Sequence, residues 1–425
     1  MTTDSHTRDA DTPMDDTSRA ATAAPPPSGT GASPGPRGLM LTLATLGFAL
    51  NFWAWALLSP LGPRFQEILD LSSFEQSLLV AVPVIVGSVG RIPVGALTDR
   101  YGGRVMFPLV SAATIVPVLY LGLAGHTTFA GLLIGGFFLG IGGTAFAVGV
   151  PFVNSWFPPE RRGLAVGVFG AGMGGTAISA LTTVNLVKEY GTAAPFVITA
   201  VALAVYALVA VLLLRDVPGR TVSGGSMLSR LAVTARLVAT WQASGLYALA
   251  FGGYVAFSVY LPVYLRTAYG LEPADAANRM AGFVLLAVLM RPLGGWFSDR
   301  FGPVRVLAVA LGVVVAGAVV QSFTPELMPV GTIAFLAMAA ALGIGSGAVF
   351  ALVALITPPE RVGSVTGVVG AAGGLGGFVP PLVMGAVYGS TGSYAIGLVL
   401  LAVVSAAALL YTVTKVRAEI SGHGA

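Results

Sequence analysis

The chain has 425 residues, of which 55% are hydrophobic and 9% charged, with a formal net charge of +4 and no cysteine. A water-soluble globular chain carries about a quarter charged residues, so this composition excludes a soluble fold, and the lack of cysteine excludes disulfides and thiolate metal sites. The basic excess does not indicate nucleic acid either, because the arginines are scattered through short segments between apolar stretches rather than gathered on one stripe.

Residues 1–36 are rich in Thr, Asp, Ala, Pro and Gly and hold no apolar run that would serve as a signal-peptide core, which predicts a disordered tail. Apolar stretches then recur at the length of about 20 residues that spans a bilayer as helix. They predict spans 1 to 6 near 39–61, 75–97, 105–124, 129–152, 164–187 and 194–214. A polar, basic linker over 215–240 separates these from spans 7 to 12 near 241–265, 276–298, 304–323, 328–356, 363–388 and 393–413, and a short tail over 415–425 follows. The predicted architecture is an all-α integral membrane protein of twelve helices, with one six-helix bundle over 37–214 and another over 241–414. Cytoplasmic loops collect Lys and Arg. Placing both termini inside puts 14 basic residues on that side, including Arg37, Arg100, Arg161, Arg300 and Arg361, against Arg64, Lys188, Arg266 and Arg279 outside, so both termini are expected in the cytoplasm of a cell-membrane protein.

The two sixes repeat. Arg91, Gly95, Asp99, Arg100 and Gly102 return 200 residues later as Arg291, Gly295, Asp299, Arg300 and Gly302, and Pro158, Pro159, Glu160, Arg161 and Gly163 return as Pro358, Pro359, Glu360, Arg361 and Gly363. The L-G-I-G run at Leu139 returns at Leu342. Duplicated six-helix halves place a substrate site near the midplane between them.

Arg91 and Arg291 stand deep inside the predicted spans, whereas every other charged group lies in a loop, a tail or close to a span end. Each precedes its loop aspartate by eight residues, which puts it about 12 Å into the membrane. Inserting a central arginine costs on the order of 3 kcal/mol or more, and it cannot shed its proton to escape. No Asp, Glu or His lies in the interior of any predicted span, and His6, His126 and His423 all fall outside. The missing counterion is therefore read as the substrate, an oxyanion held by two planar guanidinium forks. The other reading is of structural arginines bonded to backbone carbonyls.

The loops G-A-L-T-D-R-Y-G-G-R from Gly95 and G-W-F-S-D-R-F-G-P-V-R from Gly295 read either as tight turns or as gating latches. As latches, Asp99 and Asp299 would pair with Arg100, Arg104, Arg300 or a helix N-terminus, Glu160, Arg161, Glu360 and Arg361 would act beside them, and Gly95 and Gly295 would admit a close helix. Spans 5 and 11 are dense in glycine, with G-L-A-V-G-V-F-G-A-G-M-G-G-T from Gly163 and G-A-A-G-G-L-G-G-F-V-P-P from Gly370. Glycine costs about 1 kcal/mol relative to alanine inside a helix. Gly172, Gly175, Gly373, Gly374 and Gly376 thus serve close helix packing or close approach of backbone to a small substrate. Phe52, Phe146, Tyr254 and Phe257, with Phe48 and Trp55, are candidate walls of that site, and Tyr254 and Phe257 share a helix face.

The loop motifs resemble those of the major facilitator superfamily. The stretch from Phe146 to Gly172, the F-V-P-P run in span 11 and the arginine pair are similar, more narrowly, to the signatures of the nitrate/nitrite porter family. The resemblance implies uptake of nitrate, export of nitrite or exchange of the two, with Arg91 and Arg291 as the anion-binding pair, by a protein acting as a monomer in the bilayer. Where members of that family often carry an asparagine in span 5, this chain has Met173, with Thr176, Ser179 and Asn51 as candidate polar substitutes. An organic monocarboxylate carrier and a non-transporting anion sensor are the alternatives. An enzyme is disfavoured, since there is no phosphate-binding loop, no His cluster and no nucleophile with a positioned base, and no cofactor is expected. Fixed positive charge without membrane carboxylates favours exchange over proton coupling.

Overall fold

The computed structural model describes residues 34–219, 234–357 and 362–418. Lipid offers no hydrogen bonds, so each crossing segment satisfies its backbone as helix. Twelve helices are long and apolar enough to cross a membrane: spans 1 to 6 are Pro36–Leu69, Ser73–Tyr101, Gly103–Leu123, Phe129–Trp156, Ala165–Tyr190 and Ala194–Leu213, and spans 7 to 12 are Val238–Tyr269, Pro273–Phe301, Pro303–Ser322, Leu327–Ile356, Val365–Thr391 and Ala395–Val416. All twelve fall where hydropathy places them. Most of the predicted tail over 1–36, much of the linker over 215–240 and most of the tail over 415–425 lie outside the described residues.

Local chemistry closes the helix ends. Ser72 accepts from the backbone N–H of Glu75, and the Glu75 carboxylate accepts from that of Ser72, a capping box that starts span 2. Thr128 caps span 4 from one side, its hydroxyl accepting from the backbone N–H of Gly131. Span 3 begins after Gly102, whose φ of 82° a side chain would disfavour, and its first turn donates from Arg104 N to Asp216 at 3.2 Å. Gly302, the equivalent residue 200 positions on, has a φ of 85°. The glycine of each loop motif is thus required by a left-handed turn.

Packing repeats as the sequence does. Span 5 packs on span 1 and span 11 on span 7; span 4 packs on span 2 and span 10 on span 8; spans 3 and 6 pair as spans 9 and 12 do. Exposed apolar side chains such as Val116, Leu212 and Val309 cover the outside, where hydrocarbon replaces water. The two halves meet through spans 1 and 7, 2 and 11, and 5 and 8, and these contacts gather at the end opposite the Asp99 and Asp299 loops. There Ser59 Oγ donates to the carbonyl of Val259 at 2.7 Å, Ser77 Oγ donates to Tyr260 OH at 3.3 Å, and Arg266 pairs with Glu67. Toward the loop end spans 2 and 11 and spans 5 and 8 touch much less than at the other end, and a side chain placed at Gly95, Gly167, Gly295 or Gly367 meets nothing within 4 Å, so the halves are parted there.

Candidate anion site

Three local breaks in the helices build the centre of the molecule. Span 2 bends at Gly90, where a side chain would run into Thr144 of span 4, and Arg91 starts the next helical segment. Spans 4 and 5 each pass through a short 3₁₀ segment, Gly140–Thr144 and Ala171–Gly174. Such segments loosen the regular ladder and leave carbonyls for other donors. The first glycine of each L-G-I-G run and a glycine just beyond it bring helices together: Gly140 and Gly143 press on span 2 at Pro83 and Gly87, while Gly343 and Gly347 press on span 8 at Ala287 and Arg291. Small residues let these backbones touch, so each arginine is backed by a close helix pair.

Both guanidiniums come to the interface between the halves, and each reaches across it. Arg91 is 8% exposed. Its Nε donates to the Gly143 carbonyl at 3.3 Å in its own half, and its Nη1 donates to the Gly370 carbonyl of span 11 at 3.0 Å. Arg291 donates from Nη2 to Tyr247 OH at 2.5 Å and from Nη1 to the sulfur of Met173, on span 5, at 2.9 Å. Aromatic faces complete the surroundings. Arg91 lies 5.3 Å from the Phe146 ring and 5.9 Å from Phe251; Arg291 lies 5.2 Å from Phe251, 5.7 Å from Phe350 and 5.9 Å from Tyr247. Phe251 therefore stands between two cations, a position its ring quadrupole favours. Among the described residues, all the hydrogen bonds of both arginines go to neutral groups. A guanidinium has five N–H donors, so two carbonyls or a phenol and a sulfur do not saturate either one. The reading of purely structural arginines accounts for two donors of Arg91 and leaves the rest.

A cavity of ≈ 10 Å³, room for about one water, adjoins Arg291 and is lined by Met173, Phe251, Tyr254, Ala287, Val288, Gly343 and Ser346. A larger one of ≈ 170 Å³ lies away from the arginine pair, between spans 7, 8 and 10. Its lining is apolar apart from Thr332 and Arg279, and Arg279 is already paired with Asp275, so the smaller space carries the chemistry.

Of the residues singled out from sequence, Arg91, Arg291, Phe146, Tyr254, Met173 and Gly374 come together. Tyr254 stacks on Phe251 and its hydroxyl lies 3.5 Å from Thr176 Oγ1. A side chain at Gly374 would collide with Ser88 and stand 3.2 Å from Arg91 Nη1, so this glycine does admit span 11 to the guanidinium. The other four glycines let helices pack closely: Gly172 and Gly175 press on Thr45 and Ala49 of span 1, Gly376 on Ala248 of span 7, and Gly373 on Tyr247 and Phe251, the rings beside Arg291.

Four further residues make their contacts away from the two guanidiniums. Asn51 commits its amide to Gly47 and to Ser111 of span 3, both at 2.8 Å, inside the first half. Phe52 packs behind Phe48 and Trp55, one layer removed from Phe146. Phe257 packs on Phe283 and Phe335 within the second half. Ser179 bonds to Thr183, one turn along its own span. Tyr247, Phe251 and Phe350 are the contributors the sequence did not single out.

The latch residues are placed unevenly. Asp99 is half-buried, and Arg100, Arg104, Arg161, Asp299 and Arg300 are exposed. Asp216 accepts from the backbone N–H of Arg104 at the start of span 3. Gly95 and Gly295, expected to admit a close helix, have open space where a side chain would stand. Glu360 and Arg361 lie outside the described residues, as does the side chain of Glu160.

A family model described as Major Facilitator Superfamily matches residues 44–278 and 243–423. The chain is 48% identical over 387 residues to the probable nitrate/nitrite transporter NarK2 of Mycobacterium tuberculosis (strain CDC 1551 / Oshkosh), covering 90% of this chain and 97% of that one. It is 36% identical to the nitrite extrusion protein of Bacillus subtilis (strain 168), over 88% and 93% of the two chains. It is 34% identical to the probable nitrate transporter NarT of Staphylococcus haemolyticus (strain JCSC1435), over 86% and 94%. Among solved structures, the bacterial homologue of the human lysosomal transporter Spinster, inward-facing and occupied, superposes with a TM-score of 0.71 at 20% identity, over 91% and 98% of the chains. FucP in the outward conformation gives 0.63 at 20% identity, over 89% and 98%.

Proposed function

The chain belongs to the major facilitator superfamily and, within it, to the nitrate/nitrite porter family, and from that premise we propose that it exchanges nitrate and nitrite across the plasma membrane by alternating access. One observation carries the reading: two guanidiniums from opposite halves, without a carboxylate partner among the described residues, converge on one aromatic-walled space with N–H donors to spare. The space beside Arg291 holds about one water, so a flat oxyanion enters by displacing the neutral partners the forks now hold, and it then accepts from both forks at its edge. Charge-assisted bonds of this kind are roughly twice as strong as neutral ones, so the anion competes well against the protein's own partners.

Exchange follows from the charge count. Two arginines and one monovalent anion leave one net positive charge at the centre, whereas the arginines alone leave two, and moving charge through a low-dielectric barrier is costly. The loaded carrier therefore rocks more readily than the unloaded one.

With the termini in the cytoplasm, as the basic residues argue, the closed end with Ser59, Ser77, Tyr260, Glu67 and Arg266 faces outward. The parted end of spans 2, 5, 8 and 11 then faces the cytoplasm. In the opposite state that end closes over Gly95 and Gly295, where the open faces accept a neighbouring helix. Asp99, Arg100, Arg104, Asp299 and Arg300 then lie where the closing halves meet, and they act as latches of that state.

Proteoliposomes loaded with nitrite and given labelled nitrate test the proposal. Uptake that depends on internal nitrite supports exchange; uptake into anion-free vesicles driven by a pH gradient would replace exchange with proton coupling. Anion binding without flux would identify a sensor, and stronger competition by formate or acetate than by nitrite would identify a monocarboxylate carrier.

A further inference from the structure

Resting on the anion reading above, we propose that Met173 is an internal competitor of the transported anion: its thioether holds an N–H of Arg291 that the anion must take, and this raises the concentration at which the carrier half-saturates. Met173 is 2% exposed, and its sulfur accepts from Arg291 Nη1 at 2.9 Å across the interface between the halves. Its backbone is pinned, since its carbonyl accepts from Thr176 Oγ1 at 2.9 Å within the Ala171–Gly174 turn. Its side chain is not. Methionine is unbranched with three rotatable bonds, and a cavity of ≈ 10 Å³ adjoins it, so the sulfur is not closed in on that side.

The partner is also weak. A thioether is a poor acceptor, whereas an oxyanion offers a charge-assisted bond to the same N–H, so the anion wins the donor but pushes against a standing contact.

The arrangement is one-sided. Arg91 is tied to the carbonyl of Gly370, a backbone group that cannot swing away. The residue 200 positions after Met173 is Gly373, where any side chain would strike Tyr247 and Phe251, so the second half has no room for an equivalent arm. Arg91 thus keeps a fixed partner while Arg291 has a displaceable one. Met173 acts on the anion through Arg291 and is an affinity-setting residue rather than a ligand.

The test compares wild type with Met173→Leu, which keeps the side chain's size without an acceptor, and with Met173→Ala as a second variant. Nitrate and nitrite binding is measured by titration calorimetry in nanodiscs, and exchange in proteoliposomes. In each folded variant Kd and KM fall by about two- to tenfold, the range set by losing one neutral hydrogen bond, while kcat does not rise because release is no faster. A Kd and KM unchanged or raised in either folded variant overturns the proposal and makes Met173 a packing residue. A wild-type protein that neither binds nor exchanges the two anions overturns the anion reading instead.

Discussion

Replacing Arg91 by lysine separates the role of charge from that of geometry. The guanidinium spends Nε on Gly143 and one Nη1 hydrogen on Gly370, at 3.3 and 3.0 Å, and its three remaining N–H groups lie in the same rigid plane, one on Nη1 and two on Nη2. A lysine keeps the positive charge but gathers its donors on one nitrogen, which cannot reach both carbonyls and present two parallel bonds to an anion. At least one charge-assisted bond is lost, worth about 1.5–3 kcal/mol. Since about 1.4 kcal/mol is a factor of ten, kcat/KM for nitrate falls by about 10- to 100-fold. Arg91→Gln, which removes the charge as well, abolishes exchange, and Arg291→Lys behaves as Arg91→Lys does. The assay is nitrite-driven uptake of labelled nitrate into proteoliposomes. An Arg91→Lys protein that exchanges within twofold of wild type refutes the reasoning, because charge alone would then suffice and the planar fork would be incidental.

Phe251→Leu removes the ring shared by both cations; at about 0.5–2 kcal/mol for such a contact, the KM for exchange rises by about 2- to 30-fold. Ser59→Ala removes the bond to Val259 that helps close the outer end. At about 1 kcal/mol the balance shifts about fivefold toward outer opening, read as faster modification by an impermeant thiol reagent of a cysteine replacing Val263, which is buried at the same end facing Gly62. Gly374→Ala drives a methyl into Ser88 and against Arg91 and stops transport, whereas Gly312→Ala meets nothing within 4 Å and leaves transport intact. Because helix interiors favour alanine by about 1 kcal/mol, the Gly312 variant also melts at an equal or higher temperature, which thermal unfolding in detergent checks.

Much of this molecule is legible in one dimension because a bilayer imposes one-dimensional rules. Span length follows from hydrocarbon thickness, the duplication follows from residues returning at an offset of 200, and Arg91 and Arg291 stand out because permanent charge is rare at that depth. Glycine density in spans 5 and 11 signals close approach, and in Gly374 it marks the site itself. Hydropathy is silent about direction, however. A helix that is apolar all round carries no periodic stripe to say which face meets its neighbours and which meets the lipid. Asn51, Phe52 and Phe257 look as eligible from sequence as Phe146 and Tyr254, yet two of them pack inside one half and Asn51 is spent on Ser111.

Tyr247 and Phe251 illustrate the converse. Nothing distinguishes them from the other aromatics of span 7 until span 7 is packed on span 11 and turned toward span 8, when both rings come within 6 Å of a guanidinium. The same holds for the carbonyls of Gly143 and Gly370, which no side-chain pattern announces. The sequence by itself determined that two cations lie in the membrane and that the halves are copies. Only the tertiary structure decided what each cation touches, because those contacts join residues from 44 to 279 positions apart, and that pairing depends on how the helices rotate about their own axes as they pack.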